Sequence, residues 1–520
     1  MSTSDPAPIS GYINSHNDFT PINIDSFKAY DIRGELGVTL DDHIAYRIGR
    51  AFGQILFQRY NAACDTIDNN DVNSVDDATV NDRNELQGLK PAIVIGSDIR
   101  DSSEQLKQAT IAGIMDAGVD VIDLGMTGTE EVYFATSHYQ ALGGIEVTAS
   151  HNPINYNGLK LVKEHSKPIS ADDGLAEIQQ LAESGQFATV NQQGENNQPG
   201  KRQLLTDKSA YIAHVMSFVA IDKLQPLKLV INSGNGSAGP VVDLLVDKLM
   251  QAGAPIEVIK LHHEPDGSFP NGIPNPMILA NRTATQQAVI NHKADLGIAF
   301  DGDFDRCFLF DENGAFIDGS YVVGMLAQAF LNKYPGESIV YDPRVIYNTE
   351  AVVDTHNGKA VISKSGHSFI KQVMRESGAV YGGEMSAHHY FRDFCYCDSG
   401  MIPWLLTIEL LSITGKTLSE LVTGYIKAYP SSGELNFRLT DHDAPTIIKD
   451  IEEKFSMENP TKSTLDGLSL DFDDWRFNLR ASNTEPLIRL NIETRGDENL
   501  LATKTHDIQQ WLANQGAVPA

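Results

Sequence analysis

Cysteine is scarce in this chain. There are four in 520 residues, Cys64, Cys307, Cys395 and Cys397, and none stands in a paired C-x-x-C spacing. Neither a disulfide framework nor a zinc site is therefore expected to organise the fold. Cys395 and Cys397 alternate within an aromatic stretch and read as packing residues. Positive charge is also in short supply: 40 Lys and Arg against 69 Asp and Glu leave a net charge of -29. That argues against nucleic acid as a partner, because binding a phosphate backbone requires a basic surface. An acidic exterior suits an anionic substrate only where cations are concentrated in a cleft. No apolar run is long enough to span a bilayer. The N-terminal stretch MSTSDPAPISGYINSHND has neither a basic n-region nor an apolar core, so no signal peptide is expected. The expectation is a cytoplasmic protein with no membrane partner.

What is present is a globular composition, 41% apolar and 21% charged, over a length that suits roughly three to four domains of about 150 residues each. After a polar start, residues 44–55 carry Ile44, Ile48, Phe52 and Ile55 at helical spacing. From Cys64 to Gly88 the chain turns acidic and poor in apolar residues, and reads as a disordered insertion. A strand over 92–96, a helix through Leu106, Ile111 and Ile114, and a strand over 119–124 then form an α/β pattern. Thr129 is placed to cap the following helix, with acids in its first turn. Residues 186–203 read as a linker or mobile loop. A second unit opens with a strand over 227–231 and the glycine-rich turn at 232–239, which reads as close packing because no Walker lysine or ribose-binding acid accompanies it. It ends with a strand over 296–300. A third unit follows, and from about Gly433 a smaller α+β unit. The expected domains are 1–205, 206–306, 307–429 and 430–520: three similar α/β domains with mixed sheets, then a C-terminal α+β domain.

Four stretches carry chemistry. In the first, the strand over 143–147 runs into Thr148-Ala149-Ser150-His151-Asn152-Pro153, with Tyr156-Asn157-Gly158-Leu159-Lys160 just beyond. A hydroxyl is thus displayed on a tight turn at a strand end, with a lysine able to return to it, which suits a nucleophilic or phosphate-carrying serine. An ordinary turn is the alternative. In the second, Asp301, Asp303 and Asp305 alternate in DGDFDR, so an extended segment would turn all three to one side as hard oxygen ligands for Mg²⁺. An EF-hand fails here because Arg306 replaces the required glycine; a surface acidic turn stays open. In the third, Glu384, Ser386 and His388 alternate and would share a face suited to sugar hydroxyls, while His389 reads as structural. In the fourth, Arg480, Ser482, Asn483 and Thr484 offer a guanidinium fork and hydroxyls to a phosphate, with a plain exposed turn as the alternative.

Taken together, KAYDIRG, TASHNP with YNGLK, DGDFDR, GEMSAHH and RASNTEP resemble, in order, the motifs of the α-D-phosphohexomutases, across 28–495 but for the acidic insertion. The resemblance implies four domains around a central cleft. It makes Ser150 the phosphoserine and places Mg²⁺ on Ser150, Asp301, Asp303 and Asp305. Arg33, Lys160 and His388 would be catalytic. Tyr30, Arg306, Arg344, His367, Glu384, Ser386, Arg480, Ser482, Asn483 and Thr484 would bind substrate. The longer wording is most like the bacterial phosphomannomutase branch, with which Arg344 agrees. That implies interconversion of mannose 6-phosphate and mannose 1-phosphate through a hexose 1,6-bisphosphate, which also serves as activator, and supply of GDP-mannose synthesis. Glucose phosphates as preferred or shared substrates remain the alternative. A metal-dependent sugar phosphatase and a silent sugar-phosphate binding protein are the other classes. The partners implied are small sugar phosphates, for a monomer or small homo-oligomer.

Overall fold

The computed structural model describes residues 19–28, 30–68, 88–188, 198–440, 443–482 and 487–520. The first sheet has six strands in the order Ile32–Glu35, Tyr156–Lys163, Ala141–Val147, Lys90–Ser97, Asp120–Met126 and Arg202–Leu204. The last four run parallel to one another, and Tyr156–Lys163 is antiparallel to both of its neighbours. Ala141–Val147 is buried along its whole length, as a strand covered on both faces must be. The helices Asp42–Asp68 and Ser103–Asp116 pack together on this sheet.

The second sheet runs Cys307–Phe310, Leu296–Phe300, Leu227–Asn232, Ile256–Leu261, and the third runs Lys359–Ile362, Ser338–Tyr341, Tyr381–Gly383, His389–Phe391, Cys397–Asp398. Both are parallel with antiparallel additions at one edge. The fourth sheet is antiparallel throughout, with helices Ala444–Phe455 and Glu498–Asn514 packed on it. The architecture is therefore three mixed α/β layers and a smaller α+β unit. One apolar core runs through the second and third units, reaching Tyr133 and Val162 of the first; the first and fourth units have cores of their own.

The structure departs from the local reading at several places. The helix that carries Ile44, Ile48, Phe52 and Ile55 continues through Asp68, so the opening of the stretch read as a disordered insertion is helical; residues 69–87 lie outside the described residues. Arg202 and Gln203, assigned to a linker, form an edge strand beside Asp120–Met126. Cys307–Phe310, assigned to the third unit, pairs with Leu296–Phe300 and completes the second sheet. A boundary at 306 would divide a hairpin, whose backbone hydrogen bonds keep both strands in one layer. Thr129 is the first helical residue of Thr129–His138 and not its cap, which is Gly128.

Candidate active site

The serine loop joins the strands Ala141–Val147 and Tyr156–Lys163, neighbours in the interior of the first sheet. Ser150 has φ +50, a left-handed conformation that non-glycine residues hold only where the surroundings over-determine it. The surroundings do so here. Thr148 Oγ1 donates to Asp98 Oδ2 at 2.7 Å and accepts from the Ser150 amide at 2.8 Å. Arg100 donates to the carbonyls of Ser150 (2.9 Å), Asn152 (2.6 Å), Pro153 (3.0 Å) and Tyr156 (3.2 Å). Arg33 Nη1 donates to the Ala149 carbonyl at 3.0 Å, and Arg33 Nε to Asp31 at 2.7 Å. The serine expected on an exposed turn is only 1% accessible.

The acidic loop follows the strand Leu296–Phe300 of the second unit. Its aspartates converge through a tight turn, not an extended run: the Phe304 amide donates to the Asp301 carbonyl, and Phe304 has φ +44. All three carboxylates are buried and offer oxygens within 4.8 Å of one another. Gly302 lets the two loops meet, since a Cβ there would lie 2.5 Å from the Ser150 carbonyl oxygen. Ser150 Oγ donates to Asp301 Oδ2 at 2.8 Å, and His151 Nδ1 lies 2.9 Å from the same hydroxyl. Arg306 Nε donates to Asp301 Oδ2 at 2.9 Å. Lys160 donates to Asp303 at 2.7 Å and Asp305 at 2.5 Å.

These charges set one another. Burial pushes Asp301 up to about 6 against the pull of Arg306. Burial also opposes ionisation of Asp303, yet Lys160 and its hydrogen bond hold that carboxyl well below the usual range. Burial works against a charged Lys160, but Asp303 and Asp305 outweigh it and keep the ammonium firmly protonated. Asp303 Oδ1 and Asp305 Oδ1 are buried with no hydrogen-bond partner among the described residues. Three converging carboxylates, two of them with an unsatisfied oxygen, are a fit for a hard divalent cation.

A cleft of about 1580 Å³ opens above this floor. Tyr30, Arg33, Ser150, Lys160, Asp305, Arg306, Arg344, His367, Glu384, Ser386, His388 and Arg480 all line it. Asp301 and Asp303 are fully buried and do not line the cleft. Glu384, Ser386 and His388 lie on a tight turn between two strands, with Ala387 at φ +69, and not on the extended segment expected. The turn still brings all three to the cleft. Glu384 accepts from the Gly366 amide at 2.8 Å and from the Tyr390 hydroxyl at 2.5 Å. His388 Nδ1 lies 2.9 Å from Asp398 Oδ2 and 3.9 Å from Asp305 Oδ1. Burial opposes its charge, but Asp305 and Asp398 raise the imidazole above its ordinary value. Burial pushes His367, edge-on to Tyr30 at 5.1 Å, well below that value. Arg344 is paired with Asp342 at 2.8 Å. His389 is buried, 2.7 Å from the Tyr381 hydroxyl, as a structural histidine would be. Arg480 lies on the strand Trp475–Ala481, with Ser482 just past its end; Asn483 and Thr484 lie outside the described residues.

Sequence reasoning gave Asp98, Arg100 and Thr129 no role in the site, although each holds one of its loops. Asp98 and Arg100 at a strand end were the available signal. Glu434 and Arg489, which line the cleft, had none.

A buried serine lies against a carboxylate cluster, on the floor of a cleft between four sheets with arginines on a further wall, and the fold is that of a phosphohexomutase. Four domain models of the phosphoglucomutase/phosphomannomutase family match: alpha/beta/alpha domain I over 58–189, domain II over 209–314, domain III over 318–429 and the C-terminal domain over 434–508. The chain belongs to that family. It is 53% identical over 491 residues to a phosphomannomutase of Salmonella montevideo, covering 94% of this chain and 99% of the relative. It is 48% identical over 491 residues to a phosphohexose mutase of Xanthomonas campestris pv. campestris, covering 94% and 100%. A phosphoglucomutase/phosphomannomutase family protein of Burkholderia thailandensis superposes with a TM-score of 0.79 at 30% identity, covering 96% of this chain and 99% of that one. Among the described residues, no helix is long and apolar enough to cross a membrane.

Proposed function

We propose that this chain interconverts mannose 6-phosphate and mannose 1-phosphate, the latter a precursor for GDP-mannose, by passing a phosphoryl group through Ser150. The observation that carries the reading is the 2.8 Å contact of Ser150 Oγ with Asp301 at the floor of the cleft, faced by the cationic wall of the fourth unit. One end of the cleft is built to transfer a phosphoryl group and the other to hold one. The names of the relatives favour mannose.

In the forward step the free hydroxyl of the hexose phosphate attacks phosphorus on phosphorylated Ser150. The new O–P bond forms as the bond to Oγ breaks, and the product is a hexose 1,6-bisphosphate. In this step the sugar hydroxyl gives up a proton and the departing Ser150 Oγ takes one up; when the opposite phosphate returns, Ser150 Oγ gives up its proton and the departing sugar oxygen takes one. His388 is positioned by Asp398 to accept or deliver a proton at the sugar. Lys160, locked as a cation, and Arg306 offset negative charge at Oγ, and Arg33 orients the loop through Ala149. Glu384 and Ser386 face the sugar hydroxyls, with Tyr30, His367 and Arg344 beside them; Arg480, Ser482, Asn483 and Thr484 grip the phosphate that is not transferred. Asp301, Asp303, Asp305 and Ser150 are the residues that would hold Mg²⁺, which there offsets charge on the transferring group.

The test is a side-by-side assay with mannose 1-phosphate and glucose 1-phosphate, primed with a trace of hexose 1,6-bisphosphate. Faster formation of the mannose 6-phosphate isomer is the expected result. Steady release of inorganic phosphate without isomerisation would overturn the mutase reading, and a clear preference for glucose the mannose reading.

A further inference from the structure

Arg480 and Arg489 stand directly opposite each other on the antiparallel strands Trp475–Ala481 and Leu487–Thr494. Like charges in directly opposed positions destabilise a sheet unless an anion lies between them. In this structure the anion is the Glu434 carboxylate, which accepts from Arg480 Nη2 at 3.0 Å and from Arg489 Nη1 at 3.4 Å. It also lies 3.6 Å from Arg344 Nη1, reaching from the start of the fourth unit to the third. All four side chains line the cleft. Three members of the cluster are shielded from water, with side-chain exposure of 4% for Arg344, 7% for Arg480 and 9% for Glu434, while Arg489 is 22% exposed. Arg344 is already paired through Asp342. Arg480 and Arg489 have Glu434 as the carboxylate they share.

We propose that Arg489 joins Arg480 in gripping the phosphate that is not transferred, and that Glu434 is a built-in counter-anion that weakens this grip. The proposal rests on the reading that the Arg480 region is the phosphate subsite. A phosphate entering there must share the two guanidinium groups with a buried carboxylate, and the repulsion between the two anions lowers its affinity. Such a weakening suits the chemistry. The bisphosphate must let go at one end and turn round before its other phosphate reaches Ser150, and a grip without an internal competitor would hold it too firmly. Burial opposes a charged Glu434, but Arg344, Arg480 and Arg489 together hold its carboxyl below the usual range, so the competitor is present as an anion.

The experiment compares the full-length protein with Glu434→Gln, Glu434→Asp, Arg489→Gln and Arg480→Lys. For each, KM and kcat for mannose 1-phosphate, competitive inhibition by inorganic phosphate, and Tm are measured. Glu434→Gln should lower both KM and the phosphate inhibition constant about tenfold, the effect of one lost repulsive contact, while Tm falls. If Glu434→Gln does not fold, Glu434→Asp decides, because drawing the carboxylate back should lower both constants in the same direction. Arg489→Gln should raise KM more than it lowers kcat. In a folded glutamate variant, a KM or inhibition constant that is unchanged or higher overturns the role of Glu434, and an unchanged KM in Arg489→Gln overturns that of Arg489. Arg480→Lys separates the two layers. If it leaves both constants alone, the phosphate-subsite reading itself fails. If it raises them while Glu434→Gln lowers neither, only the present proposal fails.

Discussion

Thr129 Oγ1 donates a 2.5 Å hydrogen bond to Asp303 Oδ2, joining the first turn of a helix in the first unit to the acidic loop that leaves the second. The residues are 174 apart in sequence. The bond fixes one oxygen of Asp303 and leaves the other, Oδ1, without a partner and able to face a cation. Thr129→Val, which keeps the shape and removes the donor, should raise the Mg²⁺ concentration for half-maximal activity several-fold. The stability cost should be about 1.5–3 kcal/mol, the range for a hydrogen bond to a charged group. Activity titrated against Mg²⁺, alongside thermal melting, checks both. An unchanged Mg²⁺ requirement would show that Asp303 is held without Thr129.

Ser150→Ala should lose nearly all turnover and remain folded. It removes one hydrogen bond to Asp301, a net cost of about 1.5–3 kcal/mol for a bond to a charged group, while Arg100 and Thr148 still hold the loop. The wild-type protein should carry one phosphoryl group on Ser150 at rest. Intact-mass measurement before and after dephosphorylation, paired with the assay, tests this. Full activity from unphosphorylated protein with no bisphosphate present would contradict a phosphoserine mechanism.

Arg100→Lys should lower kcat far more than it raises KM. A lysine cannot span the four carbonyls that the guanidinium joins in the serine loop, and a small misplacement of a nucleophile costs rate steeply. Steady-state kinetics on the variant decide the point: a pure KM effect would place Arg100 in substrate binding instead.

Asp398 lies between His388 (2.9 Å) and the fully buried Lys371 (2.7 Å). Burial opposes its charge, but Lys371 and His388 hold its carboxyl well below the ordinary value of 3.8. A carboxyl depressed in the folded state adds stability that is present above its unfolded pKa and lost as pH falls through its folded one. Asp398→Asn leaves Lys371 buried without a counter-charge, so it should destabilise the protein by about 3–5 kcal/mol. That deficit should persist across neutral pH and shrink only in strong acid. Denaturant melts of both proteins at a series of pH values measure it. A deficit that already closes between pH 7 and 5 would contradict the pairing.

The strand ends at Ser150 and Asp301 were legible in the amino-acid sequence because their signals are local. A short, mostly apolar run marks a strand covered on both faces, and polar or turn residues mark where it stops. The four-unit order was legible for the same reason, repeated along the chain, and the family motifs followed it. What local pattern could not decide is which side chain meets which. Asp301, Asp303 and Asp305 converge because Phe304 takes a left-handed turn, where alternation alone suggested an extended segment. Cys307–Phe310 belongs to the second sheet because of the strand it pairs with, a choice its own composition does not contain. Thr129 reads locally as a helix cap, and only the docking of two units makes it a partner of Asp303. Arg480 and Arg489 oppose each other through strand register, and Glu434 meets them because the chain enters the fourth unit beside that pair. Composition and periodicity act over a few residues, so the sequence by itself determined the elements and the residue types available for chemistry. Register and docking between units act across hundreds of residues, and these contacts were decided only by the tertiary structure.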